Sequence, residues 1–249
     1  MTVRSVDVLG LSIEAHTVST IVFRMEELIA SEGCSVVFGV NAHSLNLTYR
    51  VPGYREALLR VDLLYADGAS LVLAAGILGE RLPGKLATSD IWPAFCRISE
   101  RRGYRSFLLG GEPGLAESAR AKTLEQYPDM QIVGAHHGYF EFASEEVLSL
   151  VNDAKPHVLW LGLGEPLQAF WADAVRARLR VPLVVLAGGL FKIVSGRLDR
   201  APVAWCQAGF EWLYRMIREP GVWRRYAADL PLMAVRVLLQ RLSGRSNPG

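Results

Sequence analysis

Asp67 stands in Ala-Asp-Gly-Ala, at the end of the apolar run Leu63–Ala66. A carboxylate there can act as general base towards a hydroxyl; the competing reading is a turn Asp in an Asp-Gly pair. Asn41 closes the run Ser35–Val40 in the same way. It reads as a catalytic or sugar-binding amide, or as a turn or helix-cap residue. Two glycine turns carry a second kind of chemistry. Gly110-Gly111-Glu112-Pro113-Gly114 follows one strand-like run and opens a helix-like one. Glycines let backbone N–H groups approach an anion, and a helix N-terminus is partly positive, so a diphosphate fits. Pro113 suits the first helical turn. The bland reading is that any strand-to-helix turn uses glycine. Gly162-Leu163-Gly164-Glu165-Pro166-Leu167-Gln168 is a second such turn. Gln168 offers a donor and an acceptor together, which suits sugar hydroxyls or, equally, a helix cap. Gly188-Gly189 ends a third apolar run, Leu183–Leu186.

Cations flank these turns. Arg81 and Lys85 surround Gly84, with Asp90 following. A mobile loop with two cations can neutralise a leaving diphosphate, or be a solvated loop. His136-His137 lacks a third ligand at metal spacing, and no Asp-x-Asp is present to seat a divalent ion. The stretch from Arg200 to Arg215 crowds Trp205, Phe210, Trp212 and Tyr214 beside arginines. Aromatic surface next to fixed cations suits a ligand or surface that is both apolar and anionic. From Arg215 to Arg245 the arginines outweigh Glu219 and Asp229. Leu230–Leu242 is amphipathic, with Leu232, Val235, Leu239 and Leu242 on one side and Arg236 and Gln240 opposite. Such a helix can lie in a headgroup plane, each Arg adding about 1 kcal/mol on an anionic leaflet. Otherwise it packs on its own core or on a second subunit, which leaves homo-oligomerisation open. These features together read as a sugar-nucleotide enzyme at a membrane surface.

The 249 residues amount to one large domain, or a domain plus an appendage. A net charge of +2 gives no sign of a nucleic-acid partner. Cys34, Cys96 and Cys206 are far apart and form no CxxC, which fits a reducing cytoplasm. No signal peptide and no run of about 18–20 apolar residues is visible, so a soluble or peripheral protein is expected.

The chemistry-bearing residues need a scaffold, and the pattern supplies one. A short strand pair around Val6–Leu11 precedes a helix from about Thr17 to Ser31. Strand-like runs at Ser35–Val40, Leu63–Ala66, Arg105–Leu109, Gln131–Gly134, His157–Leu161 and Leu183–Leu186 are separated by helical stretches. Repeated strand, turn and helix units predict an α/β fold, a Rossmann-like parallel sheet with helices on both faces. Ligands of such sheets bind beyond the carboxyl ends of the strands, where Asn41, Asp67 and all three glycine turns fall. Residues 1–199 form the expected core. Residues 200–249 form the expected helical appendage, whose removal from Pro202 onward should leave a folded, more soluble core.

Taken in order, these motifs resemble the WecG/TagA/CpsF family of glycosyltransferases. The carrying segments are Asn41, Ala66-Asp67-Gly68, Phe107–Gly114, Leu161–Gln168, Gly188-Gly189-Leu190-Phe191, Arg200-Ala201-Pro202, Gly209–Arg215 and Arg225-Tyr226. The resemblance implies inverting transfer from a UDP-sugar to a polyprenyl-diphosphate-linked sugar at the cytoplasmic leaflet, in surface or exopolysaccharide synthesis. It implies no obligate metal and no cofactor. Carried onto this chain, it makes Asp67 the base, and Asn41 and Gln168 sugar or acceptor contacts. Arg81 falls in the basic loop, and Arg215 and Arg225 are appendage arginines facing diphosphates. Three positions depart from the family pattern: Gly39 where Thr is usual, Asp90 displaced relative to Gly84, and Lys192 where an acid is common. They sit near the expected sugar pocket, so a neutral hexose is as reasonable a donor as N-acetylmannosamine. The alternative is a non-catalytic nucleotide-sugar or lipid-binding subunit that recruits partner enzymes and has no need of Asp67. A dinucleotide oxidoreductase is disfavoured by the absence of GxGxxG.

Overall fold

The computed structural model describes residues 3–199, 205, 214 and 223–244, with the side chains of 223–226 excepted. Arg200 and Arg215 lie outside the described residues, as does the side chain of Arg225.

Eight strands form one sheet: β1 (Ser5–Val8), β2 (Leu11–Glu14), β3 (Ser35–Val40), β4 (Leu63–Ala66), β5 (Arg105–Gly110), β6 (Gln131–His136), β7 (Val158–Gly162) and β8 (Leu183–Leu186). Their order is β1-β2-β4-β3-β8-β7-β5-β6. Only β1 runs antiparallel to its neighbour, through a tight turn into β2; the other pairings are parallel. The α/β fold with helices on both faces is therefore the fold expected.

Apolar residues alternate between the two faces, as a pleated strand covered on both sides requires. Val36, Phe38 and Val40 of β3 enter one cluster, while Val37 enters the other. Leu159 and Leu161 of β7 face the first cluster, while Val158 and Trp160 face the second. The first cluster also takes buried residues of α2 (Ala42–Arg50), α3 (Tyr54–Leu59), α4 (Ala69–Leu78), α7 (Glu145–Asp153), α8 (Leu167–Val175) and a C-terminal helix, α10 (Trp223–Leu242). The second takes α1 (Val18–Ala30), α5 (Thr88–Arg102), α6 (Leu115–Gln126) and α9 (Leu190–Val194). β3 and β8 are neighbours, yet α2 and α9, which follow them, cover opposite faces. That reversal opens a crevice at the carboxyl ends of the sheet.

α5, for which the sequence pattern gives no element, begins at Thr88, just beyond the Arg81–Lys85 loop. Asp90 supplies the reason: its carboxylate accepts from the Ala87 N–H at 3.1 Å, closing the first turn. Pro113 precedes α6 rather than entering its first turn, because Gly114 takes a left-handed conformation (φ 84°) as the cap. α10 also differs from expectation. Met233 and Val237 are buried, and so is Asp229. Arg236 and Gln240, the expected water-facing residues, turn towards the core: Arg236 bonds Asn46 and lies 4.0 Å from the Tyr49 ring centroid, and the Gln240 amide binds Asp7 and Leu9. Val235, Leu238, Leu239 and Leu242 are left exposed.

Candidate active site

The crevice is a cleft of about 790 Å³. β3 delivers Asn41 to it and the adjacent β4 delivers Asp67. The turn after β5 brings Gly111, the turn after β7 brings Gly162, Gly164, Glu165 and Gln168, and the turn after β8 brings Gly188 and Gly189. α10 closes one side with Asp229, Leu230, Met233 and Ala234. Asn41, Asp67, Gly111, Gly162, Gly164, Gln168, Gly188 and Gly189, scattered over 149 positions, thus meet in one place.

Asp67 is half-buried on the cleft wall, its backbone N–H donating to the Val40 carbonyl at 2.8 Å. A parallel bridge from Asp67 to Leu86 lays the Arg81–Lys85 loop against it. That bridge brings Lys85 to the cleft, whereas Arg81 is exposed and lies off the lining. Behind Asp67, Tyr65 is fully buried, with its hydroxyl 2.8 Å from the Thr88 Oγ1. Burial, and next the Asp67 charge, push its phenol far above the usual range, so it stays neutral.

Asn41 is the cap of α2. Its Oδ1 accepts from the His43 and Ser44 N–H groups at 2.9 and 3.2 Å, a cap contributing about 1 kcal/mol. Its Nδ2 donates to Glu165 Oε1 at 3.3 Å, and the Tyr54 hydroxyl donates to Glu165 Oε2 at 2.9 Å. Burial first, and Glu165 second, hold Tyr54 protonated. Asn41 is thus both cap and cleft wall, and Glu165 is the group it orients.

Gln168 is fully buried in the cleft floor. Its Oε1 accepts from the Gly188 N–H at 3.0 Å, while its Nε2 has no protein partner. A buried amide donor without an acceptor costs about 1–3 kcal/mol, which a ligand oxygen in the cleft would recover. Two of the glycine-turn amides are already committed within the fold. The Gly111 N–H donates to the Gly162 carbonyl at 3.0 Å, and the Gly188 N–H is taken by Gln168, so neither amide is available to a phosphate. Gly110 lies off the cleft lining. Its glycine identity serves packing, since a Cβ there would sit 2.4 Å from the Gly162 carbonyl carbon. Gly114 also lies off the lining, as the left-handed cap of α6. The side chains of Lys85 and Lys192 also line the cleft and bring positive charge to it.

Sequence reasoning gave no role to His43, Thr88, Glu165 or Asp229, which also line the cleft. Glu165 and His43 stood next to residues already singled out. Asp229 is 186 positions from His43, so no local pattern connects them. Among the described residues no group of three metal-binding side chains assembles, and no helix is long and apolar enough to cross a membrane.

The model of the glycosyl transferase WecG/TagA/CpsF family matches residues 6–247 of the chain. Proteins of Staphylococcus aureus strains MW2 and NCTC 8325, each named N-acetylglucosaminyldiphosphoundecaprenol N-acetyl-beta-D-mannosaminyltransferase, are 24% identical over 222 residues. The alignment spans 88% of this chain and 86% of each relative.

Proposed function

The chain belongs to the WecG/TagA/CpsF family of glycosyltransferases, and from that premise we propose an inverting transfer from a UDP-sugar to a polyprenyl-diphosphate-linked sugar. The observation that carries this reading is the convergence of Asp67 with Gln168, Lys85 and Lys192 in one cleft.

The Asp67 carboxylate takes the proton of the acceptor hydroxyl as that oxygen bonds to the anomeric carbon. The bond from that carbon to the β-phosphate oxygen breaks, and its electron pair leaves with UDP. Single displacement from the far side inverts the anomeric centre. Lys85 and Lys192 offset the charge growing on the diphosphate, and the Gln168 amide donates to a donor oxygen. Asn41 acts through Glu165, which it holds at the wall. The arginines that the family pattern carries, Arg200, Arg215 and Arg225, supply further charge for the diphosphates. The exposed Val235, Leu238, Leu239 and Leu242 lay α10 against the inner face of the cell membrane, where a lipid-linked acceptor is held.

The relatives' names make UDP-N-acetylmannosamine with an N-acetylglucosaminyl-diphosphate lipid the first pair to assay, and UDP-glucose the second donor. Asp67→Asn should lower turnover by about 10²- to 10⁴-fold while UDP affinity is kept. Near-normal turnover in that variant would remove Asp67 from the mechanism. UDP binding with no transfer in the unaltered protein would favour a recruiting subunit.

A further inference from the structure

His43 is the second residue of α2 and lines the cleft with a side chain 25% exposed. Its Nδ1 lies 2.7 Å from the Asp229 Oδ2. The Asp229 carboxylate is buried, and its other oxygen receives Asn46 Nδ2 at 3.1 Å and Arg50 Nη1 at 3.3 Å. Asp229 is thus fixed from several sides, and it fixes the ring. With Nδ1–H donated to the carboxylate, Nε2 is the nitrogen left for a ligand. When Nε2 also carries hydrogen, both ring nitrogens donate, Nδ1–H to Asp229 and Nε2–H to an anion in the cleft.

The surroundings of His43 select among anions. Lys85, Lys192 and Gln168 line the same cleft, so a nucleotide diphosphate already has its partners. Beside His43 the wall becomes apolar: Leu230, Met233 and Ala234 of α10 face the cleft with Leu73 of α4, which is 62% exposed. A nucleotide diphosphate has no apolar tail to lay along that wall. A prenyl diphosphate matches it, with an anionic head joined to an apolar tail.

We propose that His43, held by Asp229, binds the diphosphate of the lipid-linked acceptor, and that Leu73, Leu230, Met233 and Ala234 carry its first prenyl units. This inference rests on the transfer reaction proposed above. It gives α10 a task inside the site, because the helix supplies both the carboxylate that aims His43 and most of the apolar wall.

The test measures KM separately for donor and for a short-chain polyprenyl-diphosphate N-acetylglucosamine acceptor. His43→Ala and His43→Gln should raise the acceptor KM about 10- to 100-fold, the usual worth of a charged hydrogen bond. The donor KM should stay unchanged, which also certifies the fold. Leu73→Ser should raise KM for a long-chain acceptor more than for a short-chain one. An unchanged acceptor KM, or an equal rise in both KM values, overturns the proposal while leaving the transfer reaction standing. Should the unaltered protein transfer no sugar, that reaction is refuted instead. Binding of farnesyl diphosphate then decides the subsite: a tenfold loss in His43→Ala supports it, and equal binding overturns it.

Discussion

Gly39 lies in the middle of the sheet, paired in register with Tyr65 on the neighbouring strand. A Cβ added there would stand 2.7 Å from Tyr65 Cζ and 2.8 Å from both Cε2 and the hydroxyl oxygen. The phenol therefore fills the space that a side chain at position 39 would take, and places its own hydroxyl there. In Gly39→Ala the ring must retreat from 2.7 to 3.4 Å to reach ordinary contact, a shift of about 0.7 Å. Tyr65 is fully buried, so the shift strains its neighbours at about 1–3 kcal/mol. The same shift breaks the 2.8 Å bond to Thr88, at about 1 kcal/mol more. The sum, about 2–4 kcal/mol, corresponds to a fall in Tm of about 4–16 °C for a chain of this size. Thermal melts of Gly39→Ala, Tyr65→Leu and the double variant form the assay. In the Tyr65→Leu background the alanine should cost almost nothing, because the ring it strikes is gone. A fall of less than about 2 °C in the single variant, or an equal fall in both backgrounds, would refute the steric argument.

Gln168→Leu should remove the orphaned Nε2 while leaving the Gly188 N–H without its acceptor, so urea melts should change by less than about 1 kcal/mol, and UDP-sugar binding should weaken about tenfold by calorimetry. A loss of stability with unchanged donor affinity would assign Gln168 to the fold alone. His157 accepts the Arg105 N–H through Nδ1 at 2.9 Å; burial first, and Arg105 second, lower its pKa. The unfolded chain then binds that proton more readily, so this contribution to stability is present at neutral pH and is lost as pH falls below about 6.5. Urea midpoints of the unaltered protein should fall more steeply from pH 7 to pH 5 than those of His157→Asn, which keeps an acceptor; equal slopes would discard the assignment. Ending the chain at residue 222 removes the buried Met233 and Val237, each stabilising by about 1.5–3 kcal/mol. Contrary to the sequence expectation of a more soluble core, circular dichroism should record a lower and broader melt, and an unchanged melt would make α10 a true appendage.

The sequence by itself determined most of the strands, because runs such as Ser35–Val40 and His157–Leu161 are short, apolar and ended by a polar or glycine residue, whereas β2 (Leu11–Glu14) alternates apolar and polar residues and is not bounded by the pattern. Three of them, Ser35–Val40, Leu63–Ala66 and Leu183–Leu186, have the bounds read from the pattern. It also placed Asn41 and Asp67 at strand ends, since carboxyl-end position follows from strand direction alone, and Gln168 early in the helix after a glycine turn. Tertiary structure decided the rest. Whether a glycine amide is open to a ligand depends on what lies across the sheet: the Gly111 N–H is taken by a strand that arrives over fifty residues later. Whether Arg236 meets water or Asn46 depends on which face of α10 docks, a choice made by partners on α2 and β1. His43 became a site residue only when α10 folded back and set Asp229 behind it. Short-range pattern fixes periodicity and direction, whereas hydrogen-bond partners and packing depend on contacts far apart in the chain.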